Sequence, residues 1–160
     1  MFKYVLQIIV GITILALSTF IAWYEGSAIK DIHREWKYST PFSRLFNIEI
    51  VNGHDISQLD YFIYAAKYQP LFPVIMLIST YYILTVSGCY LLKSQPKWSI
   101  IFWGLMSCTI LSFSIFIFNS LTVGGKILFW ITLIMGIISI VVTIFVYFGD
   151  FKFKKSVEVK

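Results

Sequence analysis

With 160 residues, 58% of them hydrophobic and 13% charged, the chain is more apolar than a soluble domain, whose apolar share is about 45–50%. The net charge of +5 has no basic cluster on a water-soluble fold behind it, so nucleic acid is not an expected partner, and lipid headgroups are the expected counter-charge. Cys89 and Cys108 both fall inside apolar runs, which excludes a secreted disulfide framework and reads as two small buried hydrophobes.

Four apolar runs follow in chain order. The first, from about Tyr4 to Trp23, carries no charge; at 1.5 Å per residue, about 20 residues cover a hydrocarbon core of about 30 Å. It is too long for the apolar core of a typical signal peptide, although Gly26-Ser27-Ala28 offers a weak cleavage signal. The others run from Val74 to Leu92, Trp98 to Phe118 and Ile127 to Phe148, with short turns at Lys93–Lys97 and Gly124–Lys126. The expected fold class is an all-α membrane protein: a four-transmembrane-helix bundle with one folded segment, residues 24–73, between spans 1 and 2. Trp23, Tyr24, Trp98, Trp103, Trp130 and Tyr147 lie near span ends, as interfacial aromatic rings do.

Small and hydroxyl residues let helices approach closely in lipid. Gly11, Ser18 and Ala22 share a face of span 1, Gly104, Cys108 and Ser112 of span 3, and Thr132, Gly136, Ser139 and Thr143 of span 4. These read as packing seams, and a polar permeation path lined by Ser and Thr is the alternative with the same composition. No span contains Asp, Glu, Lys, Arg or His, the groups that pumps and proton-coupled transporters place at membrane depth.

Orientation rests on the cations. With the N-terminus inside, Lys3, Lys93, Lys97, Lys152, Lys154, Lys155 and Lys160 face the cytoplasm, and Lys30, Arg34, Lys37, Arg44, Lys67 and Lys126 face out. The inner set nets +5 once Asp150 and Glu158 are included, and the outer set nets zero. Both termini are therefore expected to be cytoplasmic, with residues 24–73 on the other side.

Within that segment, Ile29, Ile32 and Trp36 sit at helical spacing over Ser27–Ser39, which predicts an amphipathic helix capped by Ser27 and stopped by Pro41. Phe46–Val51 alternates apolar and polar before Asn52-Gly53, the signature of a small hairpin. Ser57-Gln-Leu-Asp60 resembles a capping box that opens a second helix, with Leu59, Phe62, Ile63 and Ala66 on its inner face. Tyr61, Tyr64 and Tyr68 then fall outside and, with Trp36, form an expected partner-docking surface.

Three stretches carry a family resemblance: Trp23-Tyr-Glu-Gly-Ser27; Glu35-Trp-Lys-Tyr-Ser39 with Pro41-Phe42; and Leu59-Asp-Tyr-Phe62 with Ala65-Ala-Lys67. On these the chain resembles the YjdJ-like family of small multi-pass membrane proteins of Bacillus-type bacteria. The resemblance runs from the first span to the start of the second, and it implies a bacterial plasma-membrane location and no catalytic residue. The long first loop is also similar to that of claudin-like proteins, but their paired loop cysteines are missing.

Chemistry-capable side chains are few. Asp31 and Glu35 share a helical face, whereas His33 is about 200° away from each, and His54-Asp55 follows a turn, so local sequence assembles no metal-ligand set. No phosphate-binding loop, nucleophile motif, HExxH or CxxC is present. The expectation is a non-enzymatic accessory, regulatory or immunity-type subunit without a cofactor, docking another membrane or extracytoplasmic protein. Its alternatives are an oligomeric transport or channel subunit, which would make the protein a homo-oligomer, and a metalloenzyme using His33 and His54.

Overall fold

The computed structural model describes residues 2–93 and 95–158; Lys160, one of the cations counted above, lies outside them. Among the described residues there is no strand. Helix α1 spans Phe2–Gly26 and runs on as a 3-10 turn, Ser27–Asp31; α2 is His33–Ser39 and α3 is Pro41–Leu45. A second 3-10 turn, Gly53–Asp55, precedes α4, Gln58–Tyr68, and the chain ends in α5, Leu71–Leu91, α6, Pro96–Ile117, and α7, Val123–Glu158.

Among the described residues four stretches are long and apolar enough to cross a membrane: Phe2–Asp31, Leu71–Leu91, Lys97–Ile117 and Val123–Gly149. The protein is a four-span, all-α membrane protein. Its four prolines, Pro41, Pro70, Pro73 and Pro96, all stand at helix starts. There the missing N–H interrupts no helical bond and the fixed φ favours the first turn.

The bundle is made of two pairs. Helix α1 packs along α5, and α6 packs along α7, whereas α5 and α6 touch little despite being consecutive. Residues 27–70 form a cap at one end. Helix α4 runs through the middle of it, lying on α1 and reaching both α5 and α7. Small residues permit that closeness. A Cβ on Gly26 would run into the backbone of Tyr61, and one on Gly124 into the carbonyl oxygen of Ala66.

Several sequence expectations change here. Ser27 does not cap a helix; its hydroxyl donates to the Tyr24 carbonyl at 2.7 Å, and the expected 27–39 helix is divided at Ile32. The 46–57 hairpin is replaced by turns, because its donors are already committed. Asn47 N–H donates to Arg44 O at 3.0 Å and Ile48 N–H to Ser43 O at 2.9 Å, the paired bonds that close a helix through a left-handed residue. That residue is Asn47, with φ of 53°. Val51 and Asn52 N–H donate to Asp55 Oδ2 at 3.1 and 2.8 Å, leaving no ladder to pair.

In the spans, Gly11, Ser18 and Ala22 are buried on one face of α1, and Thr132, Gly136 and Ser139 are buried on α7, with Thr143 half-buried. The α6 stripe is different. Cys108 and Ser112 are exposed, and nothing lies within 4 Å of a Cβ placed on Gly104. The α6 face turned inward carries Trp103, Ser107 and Ser114 instead. Trp103 is thus packed against its neighbours, and Cys89, like Cys108, is exposed on its helix and not buried.

Candidate functional site

The cap is assembled around a carboxylate. Asp60 is fully buried in the first turn of α4. Its Oδ1 accepts the Phe42 N–H at 2.8 Å, and its Oδ2 accepts the Ser43 N–H at 2.8 Å and the Ser43 hydroxyl at 2.6 Å. Those two N–H groups are the unpaired donors of the first turn of α3. An anion there meets both hydrogen-bond demand and the helix dipole. Ser43 Oγ then accepts the Ser57 N–H at 2.9 Å, so the residue preceding α4 is tied to the same point. Ser57 does cap α4, accepting from Leu59 N–H at 3.4 Å, as its sequence position suggests. Asp60 turns away from that local box and serves α3.

Above this anchor lies a small core of Ile29, Ile56, Tyr61 and Tyr64, with Ala28, Trp36 and Ile50 against it. Trp36 Nε1 donates to Ile29 O at 2.8 Å, which pins α2 back over the 3-10 turn. Lys30 Nζ sits over the Tyr61 ring, 5.3 Å from its centre. Tyr61 and Tyr64 are therefore 3% and 7% exposed. They do not form an outer surface, and the expected inner face of α4 is displaced: Leu59 points outward while Asp60, Tyr61, Tyr64 and Ala65 point in. Of the expected docking residues, Tyr68 is exposed and Trp36 is partly buried.

A polar cluster joins α2 to the end of α4. Lys67 Nζ donates to Tyr38 O at 2.6 Å and to Ser39 Oγ at 3.1 Å, and Ser39 donates to Glu35 Oε2 at 3.1 Å. Burial pulls the Lys67 ammonium below the usual lysine range; Glu35 opposes that shift, and Arg44 adds to it. Burial raises the phenol of Tyr64, and the charge of Glu35 raises it further. Together these interactions tie α2 to the end of α4.

Among the described residues neither histidine joins a ligand set. His33 is exposed and stacks on Trp36 with ring centres 4.2 Å apart; His54 is exposed on the 3-10 turn. Among the described residues no three His, Cys, Asp or Glu side chains are grouped to hold a metal ion.

Two surfaces could do something chemically. One is the end of α3 and the turns after it, where Leu45, Phe46 and Val51 are 71%, 56% and 74% exposed. The other is a cleft between the two helix pairs at the cap end, of about 490 Å³, lined by Glu25, Gln69, Pro70, Val74, Ile75 and Ile127. Sequence reasoning missed both. The first overlaps Phe46–Val51, whose alternation predicts a hairpin, and the second is assembled from separate elements.

Comparison with known proteins gives the following. The family model described as "Domain of unknown function (DUF4306)" matches residues 5–92, covering most of α1, the whole cap and α5. A protein of Bacillus subtilis (strain 168) described as "Uncharacterized protein YjdJ" is 37% identical over 82 residues, covering 50% of this chain and 75% of the relative. No solved structure matches. The matched stretch takes in more than half of the chain, including the anchor residues Ser43 and Asp60, and the chain belongs to the DUF4306 family, the YjdJ-like membrane proteins.

Proposed function

We propose that the protein is a non-enzymatic accessory or regulatory subunit, of immunity type among the options, that docks another membrane or extracytoplasmic protein through its cap. The supporting observation is the exposed apolar stretch of Leu45, Phe46 and Val51, at the end of the short helix α3 and in the turns after it, next to the point where the buried Asp60 ties α3 to α4. Single exposed apolar residues are ordinary, whereas a run of them on a fixed support outside the spans is what a binding surface needs. This replaces the tyrosine surface suggested by the sequence, since Tyr61 and Tyr64 belong to the core of the cap. In this reading the cap faces outward from a bacterial plasma membrane and both termini are cytoplasmic, following the excess of lysines beside the other span ends.

One experiment tests the reading in two steps. An Asn52→Cys variant in intact cells should react with a membrane-impermeant thiol reagent. A triple variant, Leu45→Ser, Phe46→Ser and Val51→Ser, should insert normally but lose a partner that the tagged wild-type protein retains at fixed stoichiometry in mild detergent. Retention of that partner by the triple variant removes the docking surface, and an Asn52→Cys variant that stays unlabelled until the cells are opened reverses the orientation.

A further inference from the structure

We propose that the cleft beside Glu25 is a binding site for an amine-headed lipid of the surrounding bilayer. Glu25 closes the last turn of α1, directly after Trp23 and Tyr24, at the level where aromatic side chains mark the headgroup zone. Glu25 lines the cleft, and its Oε2, enclosed as the side chain stands, has no hydrogen-bond partner among the described residues; a turn of the carboxylate about its last torsion, which is soft, presents it to an occupant. Enclosing an ionised carboxylate oxygen without a partner is costly, and a cation that donates N–H bonds is the group that relieves the cost.

The rest of the cleft specifies the other end of the ligand. Its volume of about 490 Å³ lies within the range of small-ligand sites, and its walls are mainly Pro70, Val74 and Ile75 of the α5 start and Ile127 of α7. Gln69 is the other polar residue lining it. A bare metal ion would demand several oxygen ligands, and these walls do not supply them. The ammonium of an ethanolamine headgroup needs one carboxylate, its phosphate, for which the cleft lining holds no cation, stays with the water and headgroups outside, and its acyl chains need apolar surface. The cleft also lies between the α1/α5 and α6/α7 pairs, which touch little along their length. A lipid seated there has its headgroup nitrogen at Glu25 and the upper part of its chain along Val74, Ile75 and Ile127, and it fills the joint between the pairs.

The test is native mass spectrometry of the protein released from bilayers containing equal amounts of phosphatidylethanolamine, phosphatidylglycerol and phosphatidylcholine. The wild-type protein should retain one phosphatidylethanolamine in preference to the other two. Glu25→Gln, which keeps the shape and removes the charge, should lower that retention by about tenfold or more. Val74→Phe leaves the carboxylate in place and fills the apolar half of the cleft, so it should displace the same lipid; it keeps the test decisive if Glu25→Gln does not fold. Equal retention of the three lipids, or retention unchanged in Val74→Phe, overturns the site. Binding of a water-soluble alkylammonium with phosphatidylethanolamine excluded overturns the lipid source, and a co-purified protein that occupies the cleft through a lysine overturns the lipid itself.

Discussion

The two halves of the molecule are held by different means. In residues 2–91, which contain nearly all of the family match, the decisive contacts involve main chain: Gly26 lies against the backbone of Tyr61, and the Asp60 carboxylate takes two backbone N–H groups of α3. In the α6/α7 pair side chains of one helix meet the other helix. Gly136 lies under Leu111, Thr132 and Ser139 return their hydroxyls to their own helix carbonyls, and a long 3.4 Å bond from Ser114 Oγ to Phe129 O crosses between the helices. The difference follows from what each half must solve. A cap of short helices has many unpaired backbone donors and needs specific acceptors. Two long helices in lipid satisfy their own backbones and need only close packing.

The contrast is most easily broken at Gly26. In Gly26→Ala the new methyl meets the Tyr61 main chain, which no rotamer change relieves, so α4 has to leave α1. The expected loss is more than about 3 kcal/mol, at the severe end for a point change. Chemical unfolding in detergent measures it, and protease sensitivity of residues 27–70 locates it. Gly104→Ala is the control on the other half: nothing lies within 4 Å of the added methyl, so the shift should stay within about 1 kcal/mol. A Gly26→Ala protein as stable as that control would show that α4 is not seated on α1.

The next effect is at the anchor. Asp60→Ala removes the acceptor of two N–H groups and a hydroxyl in a fully buried place, which is expected to cost about 2–4 kcal/mol. Ser43→Ala should cost less, about 1–2 kcal/mol, because the carboxylate keeps both backbone donors. The same unfolding measurement gives both values. If Ser43→Ala proves the more damaging, its link to the Ser57 N–H, and not the carboxylate, holds the cap.

That anchor shows where sequence reading stops. The four spans are legible because length and charge-free composition decide them, and Gly11, Ser18 and Ala22 fall on a buried face because their spacing follows the helical period. Asp60 is three residues from Ser57, so a local rule assigns it to its own helix end, and nothing local reveals a serine 17 residues earlier. Asn47 did leave a signal. It is a residue type that accepts positive φ just past a proline-started helix, but the alternation of Phe46–Val51 outweighed it. The Gly104, Cys108 and Ser112 stripe failed for another reason. Small residues at that spacing suit a seam or a lipid-facing side equally, and only the partner helix distinguishes them.

The smallest expected effect lies where the halves meet. Tyr81 of α5 and Ser139 of α7 are 3.0 Å apart, oxygen to oxygen. Ser139 already gives its proton to Met135 O at 2.9 Å, so the Tyr81 hydroxyl is the donor in this pair. Tyr81→Phe then leaves no orphaned group on α7, and the expected loss is about 0.6 kcal/mol, the usual worth of a hydrogen bond between helices in a membrane. Ser139→Ala instead strands the tyrosine hydroxyl and should cost more. A double-mutant cycle between the two, read from unfolding in detergent, isolates the link itself. Coupling near zero would mean that the pairs are joined mainly through α4, with its Gly124 contact, and through the packing of Phe102 on Gly88, so that the cap carries more of the joint than this hydrogen bond does.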